Sequence, residues 1–200
     1  VAYQLEEINR RLKEDPAGFV AECDGVYQKR LESAADRILE RMKESPIVLL
    51  SGPSGSGKTT TALKLEQELE RRGVQTHTIS MDNYFKTLNR KTAPRNAEGD
   101  IDYESPKLLD RDLLDETFTK LSRGEWVVVP KFEFARQMRN DSRGTLLKLD
   151  KNEIAIFEGI HALNDDIAGR HPEATTLYIS ARSNILEGEE LRFKGRSEEH

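Results

Sequence analysis

The residues best suited to chemistry in this 200-residue chain begin with one continuous run, Gly52-Pro53-Ser54-Gly55-Ser56-Gly57-Lys58-Thr59-Thr60. Its spacing, a glycine, four residues, then Gly-Lys-Thr, lets main-chain N–H groups converge on phosphate oxygens at the start of a helix. Lys58 can then reach the β- and γ-phosphates as a point charge, and the Thr59 hydroxyl is placed to ligate Mg²⁺. The competing reading is a Gly/Ser-rich turn that merely carries a lysine. Two acidic residues complete the set. Asp82 follows one strand-like run and Glu158 ends another, and a carboxylate just past a strand end lies on the edge where α/β sheets bind ligands. Asp82 is thus the candidate general base, its alternative being a turn-capping aspartate. Glu158 stands where a Walker B acid would sit.

These side chains need elements to position them. Ile47-Val48-Leu49-Leu50 reads as a buried strand entering the glycine-rich run. Lys58 to Arg72 reads as the helix leaving it, with Ala62, Leu63, Leu65 and Leu69 inward and Gly73 as its stop. Thr76–Met81 is a second strand, leading to Asp82. The polar stretch 86–101 is long enough to be a functional or mobile loop. Ser105-Pro106 reads as a cap and first turn, opening a helix to Ser122 whose core face is Leu108, Leu109, Leu113, Leu114, Phe118 and Leu121. Trp126–Val129, extended through Phe134, pairs with Thr145–Leu149 as an antiparallel hairpin projecting from the sheet. Glu153–Glu158 and Thr175–Ser180 are the remaining strands.

Upstream, residues 3–14 read as an amphipathic helix, and Asp15-Pro16 opens a longer one. Phe19, Cys23, Val26, Tyr27, Leu31, Ala35, Ile38, Leu39 and Met42 recur every three or four residues, which predicts one buried face over about seven turns with Cys23 in the core. The expected organisation is an N-terminal helical segment over 1–45, serving as a support or docking element, and a nucleotide-binding domain over 46–200. The alternation of strands and helices predicts a three-layer α/β fold on a parallel sheet.

Composition excludes several classes. Charged residues are 34% and the net charge is −5, so the basic excess of a general nucleic-acid surface is missing. No apolar run approaches the ~18 residues of a membrane span, and no signal-peptide pattern occurs. One cysteine rules out an internal disulfide and fits a reducing cytosol.

Read in succession, Gly52 to Thr59, Ser80-Met81-Asp82-Asn83-Tyr84-Phe85, Tyr103-Glu104-Ser105-Pro106, Pro130-Lys131-Phe132-Glu133-Phe134 and Phe157-Glu158-Gly159-Ile160 resemble the uridine kinase and phosphoribulokinase family of P-loop kinases. The resemblance covers about residues 45–181. It implies a P-loop NTPase fold with strand order 2-3-1-4-5, and ATP and Mg²⁺ as cofactors. The implied activity is transfer of the γ-phosphoryl group to a hydroxyl, a nucleoside 5′-hydroxyl in uridine kinases. It further implies that Asp82 activates the acceptor and that Glu158 lies near Mg²⁺. Phe85, Tyr103, Glu104, Phe132, Glu133, Gln137 and Arg139 fall at acceptor-site positions.

Two departures bear on substrate. Gln137 stands where uridine kinases commonly have a histidine that reads the pyrimidine, and Phe132 lacks a tyrosine hydroxyl. A kinase for another alcohol, such as a sugar phosphate or pantothenate-like compound, and a non-catalytic ATP-binding module are therefore the alternatives. The family's arginine-rich lid is incomplete here: either the chain is truncated or a mobile segment is missing, and Arg192 and Arg196 would then be remnants of its edges. Its N-terminal hairpin resembles the linker of bacterial uridine kinase-like proteins that carry an upstream module related to threonyl-tRNA synthetase. A cytoplasmic location, a small-molecule partner and room for a homo-oligomer complete the expectation.

Overall fold

Hydrophobic alternation on two adjacent strands organises the molecule. In the computed structural model, which describes residues 2–180 and 183–195, β2 (Ile47–Ser51) is buried at every position and β6 (Glu153–Glu158) at all but its first. Successive side chains point to opposite faces. Ile47, Leu49, Ala155 and Phe157 enter one core, while Val48, Leu50, Ile154 and Ile156 enter the other.

The chain order before β2 is β1 (Ala2–Gln4), α1 (Leu5–Glu14) and α2 (Pro16–Arg41); α3 (Lys58–Arg71) and β3 (Gln75–Ser80) come after it. Next come α4 (Arg111–Ser122), β4 (Val127–Glu133), β5 (Met138–Leu147), β6, α5 (Asp165–Ala168), β7 (Thr175–Tyr178), β8 (Asn184–Glu187) and β9 (Glu190–Phe193). The main sheet is parallel with order β3-β6-β2-β7. Counted along the parallel strands this is 2-3-1-4, the first four places of the expected order. Among the described residues no further strand joins the sheet beyond β7. The second core contains residues of α2 and α3, and the first contains residues of α4, α5 and β4, which gives the three layers. β4 and β5 form an antiparallel hairpin, separate from the main sheet, as expected, but its second strand begins at Met138 rather than Thr145: the chain reverses at residues 134–137, and residues 141–144 lie within that strand, where the register shifts, rather than in a turn.

Several expectations shift at element edges. The helix expected over 3–14 yields its first residues to β1, which pairs in parallel with β8; β8 pairs in turn with β9. The helix expected from Pro106 is broken. A short 3-10 turn, Pro106–Leu108, gives way to extended Leu109, and α4 starts only at Arg111 behind Asp110, whose carboxylate accepts the Leu113 N–H. The break is enforced from outside: Leu109 bridges to Phe85, and the Asp110 N–H donates to Tyr84 O at 2.9 Å. A paired backbone outweighs helix propensity over a few residues.

The seven-turn buried face of α2 is corrected to about half that length. Only Leu31, Ala35 and Ile38 are buried, all in the C-terminal part, while Val26 and Cys23 are exposed. α3 and the sheet meet α2 from Tyr27 onward, so the stripe continues past the surface able to cover it. Where α2 meets α3, the Tyr27 hydroxyl lies 2.9 Å from Thr61 Oγ1, Lys64 sits over the Tyr27 ring, and Arg72 bridges Asp36 and Glu68. The other end of α2 is held to α1 by Arg11, which pairs with Glu22 and covers the Phe19 ring. Of the lid positions, Arg192 lies on β9, 3.5 Å from Glu187; Arg196 and the preceding Ala181-Arg182 pair lie outside the described residues.

Phe118 locks α4 onto the sheet, edge-on to Phe157 at 4.6 Å between ring centroids and to His171 at 5.1 Å. Phe118→Ala is expected to cost about 3–5 kcal/mol, read by chemical denaturation, because the rings around it cannot collapse into the space.

Candidate functional site

Three chain reversals, after β2, β3 and β6, crowd the carboxyl edge of the sheet. The first is the glycine-rich loop. Gly57 caps α3 with φ 88°, a left-handed angle that favours glycine, and a Cβ there would meet nothing within 4 Å. Gly52 is required for the opposite reason: a Cβ would lie 2.5 Å from Ile179 O and 2.9 Å from Ser56 Oγ. The loop closes on itself, with Ser56 N–H and Lys58 Nζ both donating to Pro53 O at 3.1 and 3.0 Å.

The first helical bond of α3 runs from Thr61 N–H to Gly57 O, so the preceding amides of the turn have no intrahelical acceptor. Ser56 Oγ is buried without a hydrogen-bond partner. A tight loop with spare donors, a left-handed cap and a lysine folded over it fits the phosphates of a nucleotide. Ser54, Gly55, Thr59 and Thr60 are exposed along this loop and the first turn.

The second reversal follows β3. Ser80 caps a 3-10 turn, Met81–Tyr84, by accepting the Asp82 N–H, while Met81 and Tyr84 anchor the turn in the core. This leaves Asp82 half-buried at the edge. Strand register brings the acids together: Ser80 and Leu50 both stand opposite Glu158, so Asp82 lies two residues past the point where β3, β6 and β2 meet.

Burial pushes the Asp82 carboxyl above its ordinary value, opposed chiefly by the charge of Lys58. Burial also raises Glu158; a hydrogen bond from Ser80 and the Lys58 charge oppose the shift, and the Asp82 charge adds to it. Asp82, Glu158 and Lys58 therefore form one electrostatic group. Hard oxygen donors at Thr59 and Glu158 suit a divalent ion such as Mg²⁺. Among the described residues no three His, Cys, Asp or Glu side chains converge as a dedicated metal cluster.

The remaining predicted residues divide into two groups. Phe85 and Phe132 meet edge-on at 5.7 Å, Phe132 and Phe134 at 5.1 Å, and the Phe132 N–H donates to Asn83 Oδ1. Tyr103 is half exposed and its hydroxyl accepts from Gln137 Nε2 at 3.2 Å. Gln137 has φ 53°, the single left-handed non-glycine residue among those described. Glu133 and Arg139 are engaged elsewhere. Glu133 is bound by Asn140, Arg136 and Arg143, whereas Arg139 pairs with Asp110 at 2.6 Å and Asp141 at 2.9 Å. Hydrogen bonding from Asn140 leads the lowering of Glu133 below the usual carboxylate range.

Glu104 presents its backbone carbonyl to His161 Nε2 at 2.6 Å. His161 is not among the sequence-based candidates, although a titratable residue three positions past a strand-end acid is a readable signal.

A glycine-rich loop between a buried strand and a helix, on a parallel sheet with acids at the same edge, defines a P-loop nucleotide-binding protein. The Phosphoribulokinase / Uridine kinase family model matches residues 47–185, and the chain belongs to that family. A uridine kinase of Schizosaccharomyces pombe is 35% identical over 117 residues, covering 58% of this chain and 25% of the relative. One from Staphylococcus aureus is 32% identical over 126 residues, covering 63% and 58%. The chain thus spans a quarter and a little over half of these two relatives.

Among solved structures, a protein proposed to be a fructose transport system kinase from Silicibacter sp. TM1040 superposes with a TM-score of 0.60 at 22% identity, covering 74% of this chain and 73% of that one. Another, proposed to be a uridine kinase from Bacillus stearothermophilus, gives 0.54 at 18%, covering 74% and 80%. Both share the fold. Among the described residues no helix is long and apolar enough to cross a membrane.

The raised carboxyls make a stability prediction. An acid whose folded-state value is raised holds its proton more tightly folded than unfolded, so stability increases as pH falls through that value and ionisation at neutral pH is a cost. Glu158→Gln is expected to raise the melting temperature at pH 7, with the gain over wild type shrinking as pH falls toward the ordinary carboxylate range. Thermal melts at successive pH values measure it.

Proposed function

We propose that this chain is an ATP-dependent kinase that transfers the γ-phosphoryl group to a hydroxyl of a small molecule, with a nucleoside 5′-hydroxyl as acceptor. The observation that carries the reading is the meeting of Lys58, Asp82 and Glu158 at one sheet edge, where the Lys58 charge opposes the upward shift of both acids and the Asp82 charge adds to that of Glu158. A loop for binding phosphate alone does not need a half-buried acid facing it. Family membership and the two uridine kinase relatives support the reaction class.

Phosphoryl transfer asks a protein chiefly to position groups and neutralise charge. When bound, ATP with its Mg²⁺ supplies the electrophilic phosphorus and screens the oxygens around it. The loop amides from Gly52 to Thr60 and the Lys58 ammonium would hold the phosphates, and Thr59 and Glu158 would hold the ion. Asp82 takes the proton of the acceptor hydroxyl onto a carboxylate oxygen, and the hydroxyl oxygen forms the new bond to the γ-phosphorus as the bond from that phosphorus to the bridging oxygen breaks and ADP leaves. Its raised value suits this work, because a general base performs best when its pKa approaches the working pH. Phe85 and Phe132 form an apolar wall, and Tyr103, Glu104 and Gln137 supply polar contacts to the acceptor.

A second acceptor class has an observation in its favour. Arg139 is spent on Asp110 and Asp141 and the Gln137 amide on Tyr103, so two groups expected to read a nucleoside have other partners. This favours a smaller alcohol, such as a sugar phosphate or pantothenate-like compound, on the same machinery.

Asp82→Asn is expected to lower kcat by about 10²–10⁴ while leaving ATP affinity within a few fold. Near-wild-type turnover would remove Asp82 from the base role. ADP release measured across a panel of nucleosides, sugar phosphates and other alcohols should be stimulated by one class. Tight ATP binding with no stimulation by any of them would replace the kinase with a nucleotide-binding regulatory module.

A further inference from the structure

Residues 102–105 form a strap that contributes Tyr103 and Glu104 to the acceptor side, and side chains from two different elements pin it. At one end the Tyr103 hydroxyl accepts from Gln137, the residue preceding β5. At the other, the Glu104 carbonyl lies 2.6 Å from His161 Nε2, in the reversal after β6. Its own backbone is fastened as well. Asp102 N–H donates to Pro94 O, Glu104 N–H to Asp102 Oδ1 and Ser105 N–H to Asp102 O, while Ser105 is buried.

The chemistry of the His161 contact is determined by its partners. A carbonyl oxygen can only accept, so Nε2 carries the proton. Nδ1 lies 3.2 Å from Asn164 Nδ2, which donates, so Nδ1 is the unprotonated nitrogen and the ring is the neutral Nε2–H tautomer. The reversal that carries the ring is tight: Ala162 N–H donates to Gly159 O and Asn164 N–H to His161 O. Gly159 closes against Met81, the residue before Asp82, with a hypothetical Cβ 3.0 Å from the Met81 Cβ. One short loop thus joins the Glu158 end of β6, the Asp82 turn and the strap.

Building on the kinase reading above, we infer that His161 is a positioning residue that clamps the Tyr103–Glu104 strap to the edge bearing Asp82 and Glu158. It thereby fixes the distance between the acceptor and the base. His161 touches neither phosphate nor acceptor; it works through the Glu104 carbonyl, and Asn164 holds its ring in the tautomer that can donate. The consequence is specific. Losing the clamp loosens acceptor binding and leaves the nucleotide loop as it was.

The test has a readout independent of catalysis. In His161→Ala, amide hydrogen exchange over residues 102–105 should accelerate at least about tenfold with α3 and β2 unchanged, because the strap opens locally rather than with the whole fold. His161→Gln, whose amide can donate to the same carbonyl, should restore protection. Asn164→Ala should produce a smaller acceleration in the same segment, and it serves as the second probe where His161→Ala does not fold. For whichever acceptor the panel identifies, KM for that acceptor should rise about tenfold in His161→Ala with kcat within a few fold and KM for ATP unchanged.

Unchanged exchange at 102–105, or acceleration spread equally through α3 and β2, overturns the clamp. A fall in kcat with an unchanged acceptor KM does so as well. If no acceptor is turned over by the wild-type chain, the kinase reading fails while the exchange experiment still decides the clamp.

Discussion

The register among β3, β6 and β2 is the constraint on which the rest of the site depends. Parallel pairing puts Ser80 and Leu50 beside Glu158, and from that line the glycine-rich loop, the Asp82 turn and the His161 reversal all depart. A slip of one residue would send each strand's core-facing side chains to the opposite layer and separate the acids from Lys58. Complete burial of β2, with Leu49 and Leu50 dividing between two cores, makes that slip prohibitive. Hydrophobic patterning, a property of the fold, therefore sets a distance that matters to chemistry.

Bringing two carboxylates to a half-buried edge works against stability, since each loses water and Glu158 also feels the charge of Asp82. Lys58 and the Ser80 hydrogen bond offset part of that cost. The arrangement is poised for a polyanion and its counter-ion: phosphate would engage Lys58, and a divalent ion would relieve the acids. An edge tuned to be incomplete by itself is what a site for a charged, exchangeable ligand requires.

Much of this was legible in the sequence because it is written in local pattern. The strand–loop–helix run from Ile47 to Arg71, the two strand-end acids and the projecting hairpin rest on periodicity and punctuation, which a single chain displays openly. What escaped depends on contacts between distant segments. Periodicity carried the α2 stripe through Cys23 and Val26, but whether a stripe is covered depends on where the sheet and α3 end. Propensity carried α4 back to Pro106, but pairing of Leu109 and Asp110 with the Phe85–Tyr84 segment breaks it there. β1 is three residues long and exists only through its pairing with β8, 182 residues away in register. The role of His161 is hidden for the same reason, since its partner carbonyl lies 57 positions upstream. The acceptor positions sit between these cases: motif order located them, and only geometry revealed that Glu133 and Arg139 already have partners.

The central claim is that donor phosphates and acceptor hydroxyl meet between Lys58 and Asp82. A crystal structure of this chain with a non-hydrolysable ATP analogue and Mg²⁺ addresses it directly. The account predicts the phosphates against the Gly52–Thr60 loop, the ion between Thr59 and Glu158, and the terminal phosphate facing Asp82 across a gap wide enough for one hydroxyl group. A terminal phosphate turned away from Asp82, or held at any other edge of the sheet, would contradict it.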